Sequence, residues 1–190
     1  MNEAQTKWNE RWREKAGLPA SPDPWLCEVL PLLPVGRALD LASGNGRNAL
    51  LLAERGMSVT ALDISEEALA QLRREASDRG LDVETRQVDL EADPGLPEDA
   101  FDLAIDFFFL HRPLLPHLLR SVRPGGVVVL RTFSRAGPFP GGPDNPAIVL
   151  LPGELPEIFT GWEVLRHEEG LEASRKGGSL AGIVARRPKR

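Results

Sequence analysis

Ala38-Leu39-Asp40-Leu41-Ala42-Ser43-Gly44-Asn45-Gly46-Arg47-Asn48 carries an apolar, carboxylate-ended strand into a glycine turn, and the turn opens a helix. Gly44 and Gly46 have no side chain, so the turn can be sharp and a ligand can lie against bare backbone. Asp40 sits where a carboxylate meets a cation or amine held over that turn. A second apolar run, Val59-Thr60-Ala61-Leu62, ends in Asp63, 19 residues after Gly44, where a carboxylate can accept both hydroxyls of a ribose. The stretch reads as the seat of a nucleotide-like cofactor at the edge of a parallel sheet.

Two cofactors compete for that seat. Gly44-x-Gly46-x-x-Ala49 satisfies the dinucleotide fingerprint and Asp63 stands at the nicotinamide-ribose distance. Against a dinucleotide, Asp40 would crowd a pyrophosphate but suits a positively charged amino-acid moiety. A third acidic strand end, Gln87-Val88-Asp89-Leu90, can reach an adenine amine, and Arg123-Pro124-Gly125-Gly126 precedes the apolar run Val127-Val128-Val129-Leu130.

Those residues, in that order, resemble the class I S-adenosylmethionine-dependent methyltransferases over about residues 5–188. The Trp8-Asn9-Glu10-Arg11-Trp12 opening and the Gly44-Asn45-Gly46-Arg47-Asn48 turn are similar to the tellurite-resistance methyltransferase group within that class. The resemblance implies S-adenosyl-L-methionine as cofactor and S-adenosyl-L-homocysteine as product. It implies a Rossmann-like fold: a seven-stranded, mostly parallel sheet with an antiparallel C-terminal hairpin and helices on both faces. It also implies one methyltransferase domain over 1–190, with 1–34 as a helical cap and 35–190 as the cofactor-binding core. Ala42-Ser43 stands where the class more often has Gly-Cys, and the Ala42 methyl narrows the backbone approach slightly.

Composition bounds the rest. With 190 residues, 42% of them hydrophobic, the chain can bury one substantial core. No apolar run approaches the roughly 20 residues of a membrane span. Cys27 is the one cysteine, which leaves no intramolecular disulfide and no cysteine metal cluster, and a cytoplasmic location is expected. A net charge of −5 argues against a nucleic-acid-binding face, and the basic end from Arg186 to Arg190 reads as a solvated tail.

Periodicity and punctuation predict helices over 3–15 and 25–33, with a Pro-rich linker from Gly17 to Pro24 between them. Strand 36–41, helix 46–55, strand 57–63, a Ser65-capped helix through 79 and strand 82–88 follow. Then come strand 101–107, a helix from Pro113 to Val122, strand 126–133, a long loop over 134–153, a helix over 153–159 and strands 161–168 and 179–186. The last two strands have no helix between them, so they pair as a hairpin, with one inserted beside strand 126–133.

For the cofactor, the backbone of Ala42, Ser43, Gly44 and Gly46 is expected along the methionine moiety and Asp40 on its ammonium. Asp63 is expected on the ribose, Ile64 on one adenine face, Asp89 and Leu90 on the adenine side, and Arg13 on the cofactor carboxylate. By the resemblance, Asp106 and Phe107 lie near the transferred methyl. Phe108 alternates away from Phe107 and reads as core. His111 and Asp106 are the candidate bases for a hydroxyl or amine acceptor; a thiolate or a metalloid oxyanion such as tellurite needs none. Arg112, Arg131, Trp8 and Trp12 are the candidates for holding or covering a small-molecule substrate, with the 134–153 loop as a further lid. No metal is implied, and the Asn-Pro-Pro-Tyr-type tetrad of nucleic-acid and protein amine methylation is missing after strand 101–107, which favours a small acceptor. A nicotinamide-dependent oxidoreductase and a non-catalytic S-adenosylmethionine-binding module are the alternatives.

Overall fold

Five strands build the parallel part of one sheet. The computed structural model describes residues 3–17, 21–92, 94–175 and 177–189; residues 18–20 of the expected linker and Arg190 of the expected tail lie outside these. The strands are β1 (Arg37–Leu41), β2 (Ser58–Asp63), β3 (Val83–Gln87), β4 (Phe101–Phe107), β5 (Val122–Phe133), β6 (Glu163–Ala173) and β7 (Ser179–Arg186). The helices are α1 (Glu3–Glu14), α2 (Pro24–Val29), α3 (Arg47–Glu54), α4 (Glu66–Asp78), α5 (Leu115–Ser121) and α6 (Glu154–Ile158).

The sheet order is β3-β2-β1-β4-β5-β7-β6. The pairs among β1 to β5 are parallel, and β7 runs antiparallel to both β5 and β6. Strand order reverses between β1 and β4, so a crevice opens beyond the carboxyl ends of those two strands. Every residue of β4 is buried, as a central strand covered on both faces requires. One face packs Trp25, Leu26, Leu52 and Leu72 from α2, α3 and α4; the other packs Leu115, Leu118 and Leu155 from α5 and α6. Burying a side chain of this size contributes about 1.5–3 kcal/mol.

Local chemistry sets most boundaries. Ser65 caps α4 by accepting from the Ala68 N–H at 3.2 Å, a contact worth ~1 kcal/mol. The expected helix 25–33 is shorter: α2 stops at Val29 and a 3₁₀ turn spans Leu30–Leu32, because Pro31 has no N–H to continue the ladder. The expected helix from Pro113 begins as a 3₁₀ turn (Arg112–Leu114) before α5. β5 starts at Val122 rather than 126, with a register shift opposite Phe101 to Leu103. There Gly126 crosses close to β4, since an added Cβ would lie 2.8 Å from the Asp102 carbonyl oxygen. β6 runs on to Ala173, five residues beyond the expected 168. Among the described residues no helix is long and apolar enough to cross a membrane.

Candidate active site

Three carboxyl groups stand at the carboxyl ends of adjacent strands: Asp40 on β1, Asp63 on β2 and Asp106 on β4, all buried. The turn between β1 and α3 is left-handed at three positions, Ala42 (φ 50°), Gly44 (φ 56°) and Gly46 (φ 77°). Gly46 N–H donates to the Ser43 carbonyl at 3.0 Å and Ser43 N–H to the Leu62 carbonyl at 2.9 Å, so the turn is held by its own backbone and by β2.

Asp63 pins that turn. Its Oδ2 accepts from the Gly44 N–H at 2.7 Å and its Oδ1 from the Ser65 N–H at 2.8 Å. Both oxygens are thus engaged by backbone, an occupation absent from the expectation of a ribose acceptor, although each oxygen keeps a second lone pair. Ile64 follows it, with its carbonyl accepting from Gln87 Nε2 at 3.0 Å. Asp89 lies two residues past β3, half-buried, and accepts from the Glu91 N–H at 3.1 Å; Leu90 is buried.

Asp40 and Asp106 are each left with one oxygen unsatisfied. Asp40 Oδ2 and Asp106 Oδ1 are buried without a hydrogen-bond partner, as is Ser43 Oγ. Burial raises the Asp40 carboxyl to about 8, with Arg47 pulling it down and Asp63 pushing it further up. Burial, then the charge of Asp40, lifts Asp106 well above the ordinary carboxylate range. A buried polar atom left unpaired costs about 1–3 kcal/mol, and a cation placed against these two carboxyls would remove that cost. A diphosphate placed here would face three carboxyl groups, which disfavours a dinucleotide. The bare turn and the orphaned acidic oxygens fit an amino-acid ammonium and a sulfonium.

Helix α1 covers the turn. An added Cβ on Gly44 would come within 2.5 Å of Trp12 Cζ2, so the indole lies directly on this glycine. The helix is fastened to α4: Asn9 Oδ1 accepts from Ser65 Oγ at 2.8 Å, and Gln71 Nε2 donates to the Trp12 carbonyl at 2.9 Å. Trp8 is not part of this cover; it is exposed, with the Arg11 guanidinium stacked on its ring at 4.9 Å. Arg13 pairs with Glu67 at 2.7 Å on the exposed side of the same clasp, which takes it away from the expected cofactor carboxylate.

The acceptor side departs furthest from expectation. Arg112 is bidentate to Glu154 (2.6 and 2.9 Å) and donates to the carbonyls of Ala147 (2.8 Å) and Val149 (3.0 Å). It is therefore a clamp joining the β4 exit to the 146–154 segment, not a free substrate cation. Arg131 is buried beneath Trp25, its guanidinium 5.1 Å from that ring centre, and pairs with Glu172. Its burial leaves little surface for a substrate to meet. The 134–153 segment is tied to the hairpin rather than hung as a free lid: Gly178 N–H donates to the Pro140 carbonyl at 2.7 Å, and Gly153 N–H to Glu169 at 3.1 Å. His111 is half-buried immediately past β4, and Phe107 is buried in the core.

Two residues were missed by alternation and motif. Phe108 is exposed and left-handed (φ 63°), not core; the strand ends at Phe107 and this residue turns out of the sheet. Its ring meets Phe133 edge-on at 5.6 Å and lies 5.8 Å from the Arg47 guanidinium. Arg47 also reaches Asp23 at 3.4 Å and acts on Asp40 electrostatically, so it is a cation close to that orphaned carboxyl. The only signal for it was its position as the first residue of the helix after the glycine turn.

Residues 38–126 match the methyltransferase domain family. The chain is similar to demethylmenaquinone methyltransferase of Thermus thermophilus, 40% identical over 104 residues, covering 51% of this chain and 47% of that protein. It is 37% identical over 172 residues to malonyl-[acyl-carrier protein] O-methyltransferase of Salmonella typhimurium, covering 77% and 64%. A probable S-adenosyl-L-methionine-dependent methyltransferase, TehB of Haemophilus influenzae, is 27% identical over 146 residues, covering 71% and 49%. The crystal structure of TehB from Haemophilus influenzae superposes with a TM-score of 0.77 at 20% identity, over 95% of this chain and 67% of that one. The chain spans about half to two-thirds of the length of these curated relatives.

Proposed function

We propose, from the premise that this chain belongs to the class I S-adenosylmethionine-dependent methyltransferases, that it transfers a methyl group from S-adenosylmethionine to a small-molecule nucleophile. The observation that carries the reading is the buried, unpartnered Asp40 Oδ2 behind the Gly44–Gly46 turn. S-adenosylmethionine supplies, when bound, a methyl already activated by its sulfonium, so the chain has to bind, align and exclude water.

On this reading Asp40 takes the ammonium of the methionine moiety, and the backbone of Ala42, Ser43, Gly44 and Gly46 lies along it. Arg47 takes the place once expected of Arg13, facing the carboxylate of that moiety. Asp63 keeps its grip on the turn with one lone pair of each oxygen and turns the others to the ribose. Ile64, Asp89 and Leu90 bound the adenine. Asp106 and Phe107 border the reacting centre. Residues 1–34 act as a cap on the core formed by 35–190, with Trp12 closing the glycine turn. Holding donor and acceptor in line is worth up to ~7–11 kcal/mol, which is the larger part of what such a site must supply.

Proton handling divides between two groups. Burial, then the charge of Asp40, lifts the Asp106 carboxyl above the ordinary carboxylate range, which favours its protonated form until a cation stands against it. His111, at the mouth of the β4 exit, is the base for a hydroxyl or amine acceptor. A thiolate or a metalloid oxyanion would need neither.

Titration with S-adenosylmethionine, S-adenosylhomocysteine, NADH and NADPH, followed by transfer of an isotope-labelled methyl to a panel of thiols and oxyanions, tests the reading. Micromolar binding of the two adenosyl ligands with label transfer is expected. Binding without transfer to any acceptor would favour a non-catalytic module, and nicotinamide binding would overturn the reading altogether.

A further inference from the structure

A second cavity lies one aromatic ring away from the β4 exit. It has a volume of about 180 Å³ and opens between the end of β5, the loop that follows and the start of β7. Phe133 and Phe139 line it, and Phe133 is the ring that Phe108, just past β4, meets edge-on at 5.6 Å, so one aromatic contact links the cavity wall to the β4 exit. Its back wall is bare backbone. An added Cβ on Gly178 would lie 2.7 Å from Gly142 Cα, and one on Gly142 would lie 3.2 Å from Gly178 Cα, so any side chain there would force loop and hairpin apart.

Charge distinguishes this cavity from the rest of the acceptor side. Arg112, Arg131 and Arg47 are each matched to a carboxylate, Glu154, Glu172 and Asp23. Arg135, which lines the cavity and is exposed at its rim, has no hydrogen-bond or ion-pair partner for its guanidinium among the described residues. Ser179 Oγ, on the same wall, accepts from the Phe139 N–H at 3.2 Å and as a hydroxyl has one hydrogen of its own to donate. A cavity of roughly 150 Å³ holds a benzene ring, whereas drug-sized ligands fill about 300–1,000 Å³. The space therefore suits one flat ring and a small anionic group.

The geometry points to an acceptor subsite for a small aromatic carboxylate, its ring between Phe133 and Phe139 and its carboxylate on Arg135 and Ser179. This rests on the methyl-transfer reading and adds the class of acceptor to it. Arg135 is a specificity residue here, since a guanidinium fork matches a carboxylate with two parallel hydrogen bonds and is indifferent to the neutral amide of the same shape.

The test uses the full chain saturated with S-adenosylhomocysteine, titrated with benzoate and with benzamide while backbone amide shifts and heats of binding are followed. Benzoate is expected to bind at least tenfold tighter than benzamide and to shift the amides of 133–142 and 178–179. Arg135→Gln should erase that preference and Arg135→Lys should retain part of it, both leaving S-adenosylhomocysteine affinity within twofold. Equal affinities, a preference that survives Arg135→Gln, shifts elsewhere in the chain, or no binding of either probe at 10 mM, a ceiling on the order of the weakest useful recognition, would each overturn the subsite. If S-adenosylhomocysteine itself fails to bind, the first titration is flat before any benzoate is added; the methyl-transfer reading falls and takes this inference with it.

Discussion

The two halves of the crevice treat charge in opposite ways. Beyond β1 and β2, buried carboxyls stand without counter-ions: Asp40 Oδ2 is unpaired, as is Asp106 Oδ1 at the switch point beyond β4. At the β4 exit and on β5, guanidinium groups already meet carboxylates, Arg112 with Glu154 and Arg131 with Glu172, although Arg131 Nε is itself buried without a hydrogen-bond partner. A buried carboxyl oxygen without a partner leaves a lone pair open to a ligand, whereas a guanidinium already on a carboxylate is committed to the fold. The first half keeps acceptor capacity that the fold does not use, and the second commits its arginines to ion pairs, with Arg135 outside them.

The largest consequence of that difference is a pH dependence of stability. Asp40 and Asp63 are both pushed above their ordinary value of 3.8 by burial, Asp40 to about 8, and Asp106 moves the same way. The folded state then holds protons more tightly than the unfolded chain. The contribution is fully present below the unfolded pKa and is lost as pH rises through the folded one. Stability without added ligand should fall between pH 5 and 8, by an amount on the order of a few kcal/mol. Urea unfolding at pH 5, 6.5 and 8 measures it. Asp40→Asn should flatten the slope, and stability that rises across this window would break the contrast between the halves.

Next in size is the clamp on the other side. Arg112→Ala removes four hydrogen bonds and strands Glu154, so it should lower stability by about 2–3 kcal/mol while leaving S-adenosylhomocysteine affinity within twofold. Unchanged stability with a raised acceptor KM would return Arg112 to the substrate site. The smallest effect is at Ala42, left-handed at φ 50°. Ala42→Gly relieves strain of roughly 1–2 kcal/mol and loses part of it to the freer unfolded chain, a net gain of up to ~1 kcal/mol in the urea midpoint. A loss of stability would mean that the turn relaxes to another conformation.

What could be read from the chain alone follows the same divide. Asp40, the glycine turn and Asp63 lie within one strand-turn-helix-strand unit, so spacing sets their neighbourhood. The Ser65 cap and the terminal hairpin are likewise short-range. Arg112 and Arg131 misled because their partners lie 42 and 41 residues further on, a pairing that only the docking of the 146–154 segment and of β6 creates. Phe108 escaped because alternation holds only while the strand persists, and a single left-handed residue ends it. Arg13 and Trp8 share a helix with Trp12, yet only Trp12 meets the turn; the orientation of α1 is set by Asn9 on Ser65 and Gln71 on the Trp12 carbonyl, contacts that no local pattern announces.

The most direct test of the Asp40 site is a thermodynamic cycle. Dissociation constants of S-adenosylhomocysteine and of 5′-methylthioadenosine, which lacks the amino-acid moiety, are measured for the unmodified protein and for Asp40→Asn at pH 8.5, above the value of about 8 to which burial raises the carboxyl. A charge-assisted hydrogen bond worth roughly 1.5–3 kcal/mol predicts a tenfold or greater loss for S-adenosylhomocysteine, with 5′-methylthioadenosine unchanged. Equal losses for both ligands, or none for either, would mean that Asp40 does not hold the ammonium and that the orphaned carboxyls serve something else.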